Sequence, residues 1–154
     1  MRKKWIPVAA ALAVGLVSGS ANAALEPFQS FVGNYGVSSD GCGSTGGTGT
    51  ISAEIPAGAT IVAAYLYTAT QFSTATPTAT LNGDAAVYGP RVGNGTACCS
   101  LASFRADVTS TVAAAYDGGG GIYDFAYNEG AQNGPTDGSA LVVVYEQASL
   151  PTST

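Results

Sequence analysis

The sequence predicts an all-β protein: an antiparallel β-sandwich, jelly-roll or immunoglobulin-like, with one short helix. Period-two segments rich in Tyr, Val, Ile and Thr recur along the chain, and 21 glycines punctuate them. Charged residues make up only 10%, so the raw material of surface helices is scarce. The central segment is Thr60 to Phe72, launched by the turn Pro56-Ala57-Gly58. Alternation places Ile61, Ala63, Tyr65, Tyr67 and Ala69 on one side and Val62, Ala64, Leu66, Thr68 and Thr70 on the other. Neither side is charged, which predicts a strand covered on both faces.

The other elements follow in order. Leu25 to Ser39 reads as an irregular lead-in and a first strand, and Asp40 to Thr50 as a glycine-rich loop. No Lys-Ser/Thr pair follows those glycines, so they do not form a phosphate loop. Thr50 to Ile55 is a short strand. Asn82-Gly83 between Thr78–Leu81 and Ala85–Tyr88 predicts a hairpin, because both residues accept positive φ cheaply. After the loop Gly89–Ser100, Leu101 to Ala106 returns to extended chain. Asp107 to Tyr116 is the helix, with Val108, Val112 and Ala115 on one face and Gly118 to end it. Gly118 to Gly121 reads as a flexible joint and Ile122 to Tyr127 as a strand. Glu129 to Gly138 is a polar turn region, and Ala140 to Glu146 is a second central strand.

Residues 1–23 read as a cleaved secretory signal peptide. Met1 to Lys4 is basic, Ile6 to Val17 carries no charge, and Ala21 and Ala23 are small. The apolar run is too short for a membrane span, which needs about 20 residues. The expectation is therefore export to the periplasm, cell surface or medium, with 24–154 as a single sandwich domain. That domain keeps two arginines against ten acids, a net charge of −8, and has no histidine. Such a surface repels nucleic acid and anionic lipid.

Candidate sites are few. Export predicts oxidation, so Cys42 is expected to bond Cys98 or Cys99, which would stabilise by about 4 kcal/mol. A vicinal Cys98–Cys99 bridge is the competing arrangement. Without histidine, zinc lacks a fourth ligand, and the usual serine or cysteine catalytic sets cannot assemble. Asp124 with Glu129, or Asp107 with Asp124, are the carboxylate pairs glycoside hydrolysis would need, but their spacing is that of surface charges. The chain is read as no enzyme. No cofactor is expected, apart from calcium held by the loop residues Asp40, Asp84 and Asp137. Arg105, two residues before Asp107, is read as a structural ion pair or cap at the helix start. Tyr65 and Tyr145 are assigned to the core, while Tyr123 and Tyr127 stand either as core rings or as a surface row stacking on sugars.

The series Pro56–Thr60, Ala64-Tyr65-Leu66-Tyr67, Phe104–Thr109, Asp137–Tyr145 and Ser149-Leu150-Pro151 resembles the extracellular β-domain of bacterial exosortase-sorted (PEP-CTERM) surface proteins. The resemblance covers most of the mature chain. It implies a secreted or surface domain with an adhesion, extracellular-matrix or envelope-structural role. Its partners would be extracellular polysaccharide or other surface proteins. The runner-up is a calcium-dependent carbohydrate-binding module. Such proteins continue past Ser-Leu-Pro into further strands and a sorting tail, whereas this chain stops at Thr154. The corresponding expectation is a C-terminally truncated domain whose Ala140–Glu146 strand lacks a partner on one edge.

Overall fold

A computed structural model describes residues 27–43, 47–92, 101–130 and 136–152. The signal-peptide segment 1–23, Cys98 and Cys99 lie outside the described residues. Contacts divide the chain into Met1–Ser30 and Phe31–Thr154. Of the first unit, 27–30 are described, exposed and without regular structure; the second carries the fold.

Eight strands and one helix follow in order: β1 (Tyr35–Cys42), β2 (Thr48–Ile55), β3 (Thr60–Thr70), β4 (Ala79–Leu81), β5 (Asp84–Ala86), β6 (Ala102–Asp107), α1 (Thr109–Ala115), β7 (Gly121–Glu129) and β8 (Thr136–Glu146). They form two antiparallel sheets, ordered β1-β8-β3-β6 and β2-β7-β4-β5. β1 pairs with β8, β2 with β7, β3 with β6 and β4 with β5. This is a long hairpin rolled so that its strand pairs alternate between two layers, the topology of a jelly roll.

Local chemistry explains where the chain turns. Asn82 (φ 50°) and Gly83 (φ 86°) both take the left-handed region, as the two-residue hairpin requires. The Pro56 turn closes with Ala59 N–H bonded to Pro56 O at 3.3 Å. The Asp107 carboxylate accepts the Thr109 N–H (3.0 Å) and hydroxyl (2.6 Å), turning the chain into α1 two residues past the expected start. The Thr109 hydroxyl oxygen in turn accepts the Ala64 N–H at 2.9 Å, tying the helix to β3. Val108 and Val112 then close one end of the core.

Several boundaries shift from the sequence reading. Asp40–Cys42 and Thr48–Thr50, expected in a loop, extend β1 and β2 because β8 and β7 supply ladder partners. A Cβ at position 49 would sit 2.1 Å from the Cys42 sulfur, so Gly49 leaves the room that side chain occupies. The glycines after α1 make a packed crossing. Gly58 N–H bonds Gly118 O at 3.0 Å, and a Cβ on Gly120 (φ 76°) would lie 2.4 Å from Ala57 N. β8 begins at Thr136 and has neighbours on both sides, β1 and β3, so the expected open edge does not exist there.

Three of the four sheet edges have further partners. The Asp40 carboxylate accepts the Ser52 N–H (2.7 Å) and the Ser38 hydroxyl accepts the Glu54 N–H (2.9 Å), joining β1 to β2 across the layers. On the opposite side, Tyr88 and Val92 bridge to Ala106 and Ser103 of β6. These contacts give partners to part of the backbone at three of the four edge strands, β1, β2 and β6.

Between the sheets lie Ile51, Ala53 and Ile55 of β2, Leu66 of β3, Leu81 of β4, Phe104 and Ala106 of β6, Phe125 of β7, and Leu141 and Val143 of β8. Ile51 and Phe125 oppose each other across β2 and β7, both fully buried. Each such side chain contributes about 1.5–3 kcal/mol of burial free energy. A bulge between Ile61 and Ala63 turns Ile61 to the core side, away from the row it shares with Tyr65 in an unbroken strand.

Candidate functional site

The outer side of the β1-β8-β3-β6 sheet is the candidate surface, and the registers define it row by row. Tyr65 lies between Val142 and Asp107, Tyr67 between Ala140 and Arg105, and Ala69 between Gly138 and Ser103. β1 continues the first two rows with Ser39 and Gly41. Because Leu66, Leu141 and Ala106 point inward, their alternate neighbours must point outward. No second layer of described secondary structure covers this face; Ala63 and Val144 at one end of it are buried, while the Tyr65–Ala69 part of β3 is partly exposed. Tyr65 is consequently a half-exposed surface ring rather than a core residue, while Tyr145 does pack against the core as expected.

Arg105 organises the rings. Its guanidinium carbon lies 5.8 Å from the Tyr65 ring centre and 6.0 Å from that of Tyr67. At such distances the ring quadrupole attracts the cation by about 0.5–1 kcal/mol at an exposed site. Burial and the nearby Asp107 charge push the Tyr65 hydroxyl upward, opposed by Arg105. The arginine expected to pair with or cap the helix start lies within reach of two tyrosine rings. Asp107 does serve the helix start.

Beside Tyr67 the side chains shrink to Gly41, Ala140, Gly138 and Ala69, leaving a shallow depression of about 350 Å³. Ser103 and Asp137 supply its side-chain polar groups on the outer face. Another depression, about 400 Å³, opens where the β1–β2 seam reaches Tyr145. There the Ser38 hydroxyl is already used by the Glu54 amide, and Glu54 is the one acid in the lining.

One end of the interior is polar. Thr68 bonds the Tyr88 hydroxyl (2.6 Å) and Ser139 (2.7 Å), and Ser139 donates to the Tyr127 hydroxyl (2.7 Å). Burial pushes Tyr88 well above the ordinary tyrosine range and raises Tyr127. Glu129 Oε1 and Thr136 Oγ1 are buried without a hydrogen-bond partner, and burial raises the Glu129 carboxyl. The sequence reading missed Tyr88; the alternation Ala86, Tyr88 after the hairpin was the available signal.

The remaining expected site residues do not converge. Cys42 is a free thiol packed against the core beside Gly49, where it acts as a small apolar side chain; its expected partners Cys98 and Cys99 lie outside the described residues. Asp40 is held below the usual carboxylate range by the Ser52 and Gly41 amides. Asp84 accepts the Thr111 hydroxyl at 2.9 Å on the other sheet, and Asp137 is exposed on β8. Among the described residues no three acidic or sulfur ligands group around a metal position. Tyr127 is 2% exposed and unavailable for stacking. Tyr123 packs edge-on against Tyr116 at 5.3 Å and donates its hydroxyl to Asp117. Asp124 faces outward, accepting the Ser52 hydroxyl, whereas Glu129 faces inward; Asp107 and Asp124 belong to different sheets.

Fold and face together define a class: a jelly-roll sandwich whose one sheet turns tyrosines and small residues outward. No family model, curated protein or solved structure matches the chain. No helix among the described residues is long and apolar enough to cross a membrane.

Proposed function

We propose that this chain is an exported, non-catalytic β-domain with an adhesion, extracellular-matrix or envelope-structural role, of the PEP-CTERM kind its sequence resembles. One observation carries the reading: a broad sheet face with few charges that presents Tyr65, Tyr67 and, 63% exposed, Val37. Apolar and aromatic side chains gathered on one face mark contact sites in exported proteins as in others. The acidic, histidine-free composition and the scattered carboxylates support a binding rather than a catalytic role. The depression beside Tyr67 favours the carbohydrate-binding reading as the second one. The separate positions of Asp40, Asp84 and Asp137 argue against its calcium-dependent form.

Cell fractionation with antibody to the mature chain tests the proposal. The expected result is a processed form beginning at Ala24, found outside the cytoplasm and retained by the extracellular matrix of the producing cells. Recovery of the unprocessed chain in the cytoplasm, or a processed form that washes freely off matrix and envelope, overturns it.

A further inference from the structure

We propose that the Tyr67 depression is a binding site for neutral polysaccharide and that it works without calcium. The inference rests on the reading above and names the ligand class of that face. A sugar ring has a C–H face that behaves as apolar surface and a rim of hydroxyls. The depression offers the complement: an aromatic ring, a floor of Ala140, Gly138 and Ala69, and the polar groups of Ser103 and Asp137. Its volume of about 350 Å³ lies within the range for ligand sites, which are mostly apolar with few polar groups.

Shape and charge select the class. The small floor crosses from Gly41 on β1 to Ser103 on β6, three inter-strand spacings or roughly 14 Å. A depression lined from all four strands of the sheet suits a chain better than an isolated small molecule. Asp107 and Asp137 outnumber Arg105 on this face, and the mature domain is strongly acidic. Both features disfavour uronate or sulfate chains. No group of metal-ligating residues stands at the depression among the described residues, so hydroxyl recognition falls to side chains and backbone.

Affinity electrophoresis of the mature protein in EDTA tests this, with gels containing hydroxyethyl cellulose, galactomannan, xyloglucan or dextran, and alginate as the anionic arm. The expected result is retardation by at least one neutral gel. Tyr67→Ala should weaken it about 3- to 10-fold, the loss of one aromatic contact. Ala140→Gln, which fills the floor without touching the core, should weaken it as much. Ile122→Ser, on the other sheet's exposed face, should leave it unchanged. Circular dichroism of each variant separates lost binding from lost folding. The inference fails if no neutral gel retards the protein, if only alginate does, or if retardation needs calcium. It fails equally if retardation survives both site variants, or if sedimentation shows a dimer that Tyr67→Ala abolishes. A protein retained by the producers' matrix yet retarded by no neutral gel sinks this inference and leaves the broader reading standing.

Discussion

β3 and β7 carry nearly the same pattern and send it in opposite directions. On β3, Tyr65 and Tyr67 alternate with Leu66 and Thr68, and the tyrosines face out. On β7, Tyr123, Phe125 and Tyr127 alternate with Asp124 and Ala126, and the aromatics face in. The difference lies in the intervening residues. Leu66 meets Leu141 inside, whereas Asp124 meets Ser52 in solvent. An aromatic row is thus surface or core according to what its alternate neighbours can tolerate. On β3 both sets are uncharged, and only the pairing with β6 decides. Placing Phe104 and Ala106 inside forces Arg105 and Asp107 out beside the tyrosines.

Truncation gives the sharpest contrast between the two rows. Phe125→Ala should cost about 3–5 kcal/mol in denaturant unfolding, because a fully buried ring leaves a cavity. Tyr65→Ala should cost about 1 kcal/mol, most of it the contact with Arg105. Equal costs would mean that β3 is covered on both faces after all. Hydroxyl deletion divides the rows more finely. Tyr127→Phe removes a buried acceptor of the Ser139 hydroxyl and should cost about 1 kcal/mol, whereas Tyr67→Phe should stay within about 0.5 kcal/mol.

Two carboxylates extend the comparison to pH. Glu129 continues the inward row of β7, and burial raises it above its ordinary 4.5. Its contribution to stability is full below that value and is lost as pH rises through the folded one. Glu129→Gln should therefore raise the melting temperature at pH 7, with the gain disappearing below pH 4.5. Asp40, at the solvent-exposed seam, is lowered from 3.8 by the Ser52 amide. Its contribution is present above 3.8 and lost as pH falls through the lower folded value. Asp40→Asn should thus lower the melting temperature slightly at pH 7, and the difference should vanish in strong acid. A gain from Glu129→Gln that persists at pH 3 would place its cause outside ionisation.

Much of the sandwich was legible because its signals are local. A segment was read as strand at each of the eight strands, Asn82-Gly83 marked the hairpin, and Val108, Val112 and Ala115 marked the helix. The candidate surface was legible only as a list of tyrosines, and of the pair read as open to stacking Tyr127 is buried. Asp40, Asp84 and Asp137 read alike as turn acids, yet each has a different neighbourhood once the sheets form. Cys42 read as a disulfide partner because the expected export suggests one, while its immediate neighbour in space is Gly49.

By itself, the sequence determined which side chains travel together along each strand and where the chain reverses, since both depend on bonds and torsions a few residues long. Only the tertiary structure decided which of two uncharged rows meets the core, that β8 sits between β1 and β3, and that Ile61 crosses to the inner side. A period of two is symmetric about the strand axis. Breaking that symmetry takes partners brought from elsewhere in the chain.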